Sequence, residues 1–243
     1  ASKVYGDADP TFAYTSTGLV SGGAFTGALA REPGNNVGRY AMTLGTLSAG
    51  GNYTITFTTA DLTITKADYD MSGITFADAT HVYDGNEHAP VVAGTLPTGT
   101  DGITVTVSYS AGATNVGSVT VTATFATTSE NYNVPAAMTA TATVTAKTVT
   151  SDMVVMDAGS VTYTGSAITK TVTVDGLIEG KDYDLAFSSN INAGQAKATI
   201  TGKGNYTGTV EKTFTIAAKT VTVTATAASK VYGDADPTFA YTS

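Results

Sequence analysis

Four groups of residues in this 243-residue chain have the types and spacing to do chemistry. His81 and His88 flank the turn Tyr83-Asp84-Gly85, with Glu87 beside the second histidine. Two imidazoles and a carboxylate are the raw material of a zinc site, or of a general base with its orienting partner. They share one turn, however, and no matched set recurs elsewhere in the chain. Asp7 and Asp9, repeated as Asp234 and Asp236, stand two apart in a turn that ends at Pro10 or Pro237. Such a pair could supply part of a calcium shell, as could Glu179, Asp182 and Asp184. Calcium takes roughly six to eight oxygen ligands, and neither group has the spacing of a calcium loop. Aspartate in a turn ordinarily hydrogen-bonds its own backbone. Finally, Lys147 and Asn205 could join as an intramolecular amide if a buried acid lay beside them, but no acid recurs with both. The expectation is a protein that is not an enzyme, with no catalytic residue, no cofactor-binding residue and no metal ligand to name; calcium is the one candidate ion.

Composition narrows the partners. The chain carries 12 basic and 20 acidic residues for a net charge of -8, with only Arg31 and Arg39 beside scattered lysines, which leaves no cationic patch for a phosphate backbone. There is no cysteine, so neither disulfides nor thiolate clusters are available. No run of about 18 apolar residues offers a membrane span, and no basic and apolar leader opens the sequence, so it reads as a segment of something longer. Threonine accounts for 48 residues, and 26 glycines punctuate them; β-branched residues favour strands and glycine favours turns, which predicts an all-β fold.

The elements that must position any site are repeated. Ala1 to Ser16 and Ala228 to Ser243 are the same sixteen residues, an offset of 227, which predicts a tandem array in the parent protein. Within that unit a shorter repeat recurs. A tyrosine turn appears as Val4-Tyr5-Gly6-Asp7, Val82-Tyr83-Asp84-Gly85 and Thr162-Tyr163-Thr164-Gly165. Asn36-Val37-Gly38, Asn115-Val116-Gly117 and Asn192-Ala193-Gly194 follow, and then Asn52-Tyr53, Asn131-Tyr132 and Asn205-Tyr206. Taking Lys66, Lys147 and Lys219 as module starts divides the chain into 1–65, 66–146, 147–218 and 219–243. On that division the first module lacks its opening strand, whose counterpart is the segment 220–227, and the tail 219–243 is expected to pair with the open edge of a neighbouring molecule.

Alternation such as Ile103-Thr104-Val105-Thr106-Val107 and Val119-Thr120-Val121-Thr122 gives sheets with one buried and one wet face. Short strands with turns every eight to twelve residues or so predict tandem small antiparallel β-sandwich modules, immunoglobulin-like, in an elongated array. Because Tyr5, Tyr53, Tyr83, Tyr132, Tyr163 and Tyr206 recur at matched places, their expected role is to cap a small core and bond through the hydroxyl, as in a tyrosine corner, rather than to stack on sugar rings.

At these residues the chain resembles the bacterial MBG domain families of large repetitive surface and secreted adhesins. Lys3-Val4-Tyr5-Gly6-Asp7-Ala8-Asp9-Pro10 with Asn36-Val37-Gly38-Arg39-Tyr40 resembles the type named for its Tyr-Gly-x turn. Tyr83-Asp84-Gly85 is similar to the associated YDG type, and Tyr163-Thr164-Gly165 with Gly204-Asn205-Tyr206 to a related MBG module. The resemblance implies an extracellular or cell-surface stalk repeat that holds a distal binding domain away from the envelope, with neighbouring repeats of the same polypeptide as partners, no nucleic acid and no membrane insertion. The alternative is a glycan-binding or self-associating module acting in cell adhesion or a biofilm matrix, with a host or matrix glycan as its partner.

Overall fold

The computed structural model describes residues 1–239. The end of the expected tail, 240–243, lies outside the described residues. The chain divides into two compact units, Ala1–Thr145 and Ala146–Ser243.

The fold is all-β. In the first unit, β1 (Ser2–Val4), β2 (Ala30–Arg31), β3 (Gly38–Thr43) and β4 (Asp61–Thr65) form a sheet in the order β1-β4-β3-β2. A second sheet of the same unit, from β5 (Ala79–Val82), β6 (Thr106–Tyr109), β7 (Gly117–Ala126) and β8 (Met138–Thr145), runs β5-β8-β7-β6. The second unit contains β9 (Lys147–Thr148), β10 (Val154–Met156), β11 (Val161–Thr162), β12 (Val172–Val174), β13 (Tyr183–Ser188), β14 (Gly194–Gly202), β15 (Tyr206–Thr207) and β16 (Thr209–Ala217). Its main sheet runs β11-β16-β14-β13, and β10-β12 and β9-β15 are two-stranded ribbons. Among the described residues, one topology is therefore built three times, in three sheet-bearing modules.

One expectation needs correction. The inner pairs are antiparallel as expected, but the edge strand that leads into each tyrosine turn is parallel: β1 to β4, β5 to β8 and β11 to β16. Parallel pairing demands a long crossover, and each edge strand is separated from its partner by most of a module. The register also fixes equivalent positions in the three sheets. Tyr5, Tyr83 and Tyr163 donate their N–H to the carbonyls of Thr65, Thr145 and Ala217, at 2.9, 2.8 and 2.8 Å, which makes those three acceptors equivalent. Two residues further on stand Ala67, Lys147 and Lys219. Exposed lysines carry no register, whereas main-chain bonds do.

Burial follows the period of two. Val121, Ala123 and Phe125 of β7 face inward, as do Ala140, Ala142 and Val144 of β8 and Ala196, Ala198 and Ile200 of β14. The second and third modules each close two apolar clusters. One lies over the edge strand: Ala113, Val121, Ala142 and Val144 in the second, and Ala196, Phe214 and Ile216 in the third. The other is built around the opening segment, with Ala67, Tyr69 and Ile74 in the second and Val149 and Val154 in the third. The first module has only the edge-strand cluster, centred on Met42, Leu62 and Ile64.

Candidate functional site at the tyrosine joint

The residues with chemical potential are each held by local partners. His81 and His88 stack with ring centroids 4.2 Å apart, and His88 Nε2 lies 2.9 Å from Asp84 Oδ1. Glu87 does not join them, because its carboxylate accepts the Gly112 N–H at 2.5 Å. Asp84 is the partner that sequence reasoning missed, although it lies four residues before His88. Asp9 receives Arg31 Nε at 2.7 Å and Lys3 Nζ at 2.8 Å, while the Lys3 ammonium also donates to the Asp7 carbonyl at 2.9 Å. Asp182 caps the Ile178 N–H at 3.0 Å, and Asp184 pairs with Lys203 at 2.5 Å, so these two carboxylates are engaged separately. Lys147 is exposed and meets Asn205 through the main chain, its N–H donating to the Asn205 carbonyl at 3.0 Å. Lys170, unremarked in the sequence, is 7% exposed, donates to the Gly159 carbonyl and lies 3.6 Å from Asp157. Among the described residues, no three histidine, aspartate or glutamate side chains converge as metal ligands.

The two held aspartates carry a pH signature. Hydrogen bonds from Arg31, then Lys3, keep the Asp9 carboxyl at about 2, and the Asn86 N–H, then His88, keep that of Asp84 at about 2. Both lie below the unfolded value of about 3.9, so the folded chain binds fewer protons between these limits. Their contribution to stability is complete above pH ~4 and is lost as pH falls toward ~2. Urea denaturation midpoints measured from pH 5 to pH 2 should therefore fall with acid, and the fall should be shallower in Asp9→Asn. An unchanged slope in that variant would mean the Asp9 pairs add nothing.

The residues that bring two sheets together are tyrosines and asparagines. Lys66 alone separates the end of β4 from Ala67, whose N–H donates to the Asn131 carbonyl at 3.0 Å and whose carbonyl accepts the Asn133 N–H at 2.8 Å. Beside this bridge Asn131 is 9% exposed, and its side chain spans the joint. Its Oδ1 accepts the Val37 N–H at 2.9 Å, and its Nδ2 donates to Asn36 Oδ1 at 3.3 Å. The Asn131 N–H donates to Ser129 Oγ at 3.0 Å, and the Ser129 hydroxyl donates in turn to Asp101, whose carboxyl that bond holds below its ordinary value. The amide that bridges the sheets is thereby oriented from behind.

Aromatic packing runs alongside. Tyr132 stacks on Tyr69 with centroids 4.3 Å apart and meets the edge of Tyr5 at 5.6 Å and 75°. Its hydroxyl accepts the Thr100 N–H at 3.0 Å. The ring needs Gly99, since a Cβ there would stand 2.6 Å from Tyr132 Cε2. Elsewhere Tyr53 accepts the Val20 N–H, Tyr109 that of Val92, and Tyr40 donates to the Asn36 carbonyl. Tyr132, Tyr53 and Tyr40 thus combine a buried or half-buried ring with a bonded hydroxyl, whereas the Tyr109 ring is exposed. The Tyr5 turn itself is local: the identical sequence at 230–236 repeats the bonds Asp234 N–H to Val231 carbonyl and Lys230 to the Asp234 carbonyl without a sheet beside it, while the Tyr5 N–H bond to Thr65, the Tyr5 contact with Tyr132 and the clamp on Asp9 by Arg31 need the fold.

Residues 1–63 match the family model of the MBG domain (YGX type), a span that takes in the first sheet's turn and about a quarter of the chain. None of the curated proteins matches the chain.

Proposed function

We propose that this chain, whose first 63 residues are an MBG domain of the YGX type, is a spacer of immunoglobulin-like modules in an elongated array, part of the stalk of a bacterial surface or secreted adhesin. The observation that carries the reading is the joint at Asn131 and Tyr132. A connection of one residue, a main-chain bridge, a buried amide and an aromatic stack leave two sheets of the first unit little freedom to hinge. A tandem repeat with an offset of 227 residues supports the same reading, as does the association of MBG domains with repeat regions of surface proteins. No helix among the described residues is long and apolar enough to cross a membrane.

In this role the chain works mechanically. Ladder hydrogen bonds carry load, the joint fixes the angle between neighbouring sheets, and threonine-rich wet faces keep the surface hydrated. Small-angle X-ray scattering at the dilute limit, with and without calcium, tests it. The expected result is an extended particle on the order of 100 Å long, from roughly 35 Å per β-module, whose profile ignores calcium. A compact particle, or one that lengthens or stiffens with calcium, would replace the spacer reading with a binding or ion-gated one.

A further inference from the structure

We infer that the parallel edge strand of a module is a mechanical clamp, in which tension along the chain strains all the hydrogen bonds of the pair together, and that β5 with β8 is the clamp of the second module. The inference rests on the spacer reading for its purpose, since only a chain under tension uses a clamp, while its geometry comes from the register alone.

Direction decides how a strand pair fails. Where the chain enters and leaves a pair at the same end, tension opens the ladder one bond at a time. Where it enters and leaves at opposite ends, the strands must slide past each other and every bond is strained at once. An antiparallel pairing of the first and last strands gives the former, and a parallel pairing gives the latter. β5 and β8 are parallel, with Ala79 opposite Ala142, Thr80 opposite Thr143, His81 opposite Val144 and Val82 opposite Thr145. The chain enters β5 at Ala79 and leaves β8 at Thr145, so tension pulls the two strands in opposite senses along one axis.

Nothing else in the ladder relieves this pair. β5 stands at the edge of its sheet, so β8 is its one ladder neighbour among the described residues. The Tyr83 N–H donates to the Thr145 carbonyl at 2.8 Å. Main-chain groups of alternate residues in a strand point the same way, so the His81 N–H also faces β8 while that of Val82 faces outward. The Thr145 hydroxyl adds a rung, donating to the His81 carbonyl at 3.1 Å. Sliding is further opposed by the Tyr83 ring, which packs against the buried cluster of Ala113, Val121, Ala142 and Val144.

The opening segment is loaded in the same sense. Ala67, ahead of β5 in the chain, pairs in parallel with Tyr132, ahead of β8. The parallel edge also recurs, as β11 beside β16 and as β1 beside β4, where the Thr65 hydroxyl again donates to a carbonyl of the edge strand, that of Lys3, at 3.2 Å. Three modules of different sequence thus keep the pairing that resists sliding, although it requires a long crossover.

Single-molecule force spectroscopy on the full chain tests the inference. The chain has no cysteine, so an introduced pair gives unique handles. Lys66→Cys with Lys147→Cys pulls the second module from its two chain ends, whereas Ala77→Cys with Ala137→Cys pulls at the starts of β5 and β8; all four positions are exposed. The first direction should require a severalfold higher rupture force than the second, in the same folded protein. Along the first direction, His81→Pro, which removes one loaded donor, should shorten the lifetime at constant force by at least about fivefold, the net contribution of one hydrogen bond. Val82→Pro, whose N–H faces outward, and His81→Ala, which keeps the N–H and loses the ring stacked on His88, should both stay close to the unchanged chain. Equal forces along the two directions, or equal lifetimes for the two proline variants, would overturn the clamp. Scattering keeps the two readings apart: a compact particle would remove the stalk and leave the clamp, while equal forces would remove the clamp and leave the stalk.

Discussion

Tyr132→Ala should destabilise the first unit by about 3 to 5 kcal/mol, the range for removing a buried aromatic ring from a packed site. Three losses coincide. The ring is 7% exposed, so its burial is nearly complete, and it takes part in two aromatic pairs, one stacked on Tyr69 and one edge-on to Tyr5. Each such pair is worth about 0.5 to 1.5 kcal/mol beyond area. The Thr100 N–H also loses its acceptor. Against a typical total of about 5 to 15 kcal/mol for a domain, this change removes a large share. Hydrogen exchange of the full chain checks it: amide protection at Val37 and Thr100 should collapse in the variant. Tyr132→Phe, which keeps the ring and loses only the hydroxyl, should cost about 1 kcal/mol and retain protection at Val37. Equal effects of the two would show that the hydroxyl, not the aromatic packing, holds the joint.

The joint also marks the boundary of what the sequence makes legible. Alternation reveals strands, because a period of two follows from which face of a sheet is buried, and so β7, β8 and β14 are visible in Val119 to Phe125, Thr139 to Thr145 and Ala196 to Ile200. Matched tyrosines reveal a shared structural role. The partner of Asn131, by contrast, is not readable: Val37 lies 94 residues away, and an Asn beside a Tyr looks like any turn. Nor is the parallel edge readable, since side-chain alternation is the same for parallel and antiparallel neighbours, and only the path of the connection decides between them. Among the groups with chemical potential, His81, His88 and Asp84 are close in sequence and come together, whereas Glu87 turns to Gly112, a backbone contact with no signature in residue type.

In the second unit the largest effect belongs to Ile200. It is fully buried, in the cluster with Val149, Val154, Tyr183 and Val210, and Ile200→Ala should cost about 2 to 5 kcal/mol, the transfer term plus the cavity left behind. Denaturant titration of the full chain, followed by hydrogen exchange at β14 and β16, measures it. Val149 packs in the same cluster and ties the opening segment to it, since its N–H donates to the Thr207 carbonyl at 2.8 Å. Val149→Ala should therefore destabilise this unit by a smaller amount of the same sign, about 1 to 2 kcal/mol. Val221, its equivalent in register, gives the contrasting result: in a dilute chain Val221→Ala should change stability by less than about 0.5 kcal/mol, the ordinary range for a bare surface position. A valine acquires its stabilising role from the cluster it enters and not from its place in the repeat. Should Val221→Ala destabilise the chain as much as Val149→Ala does, Val221 would be packed in a cluster and not bare.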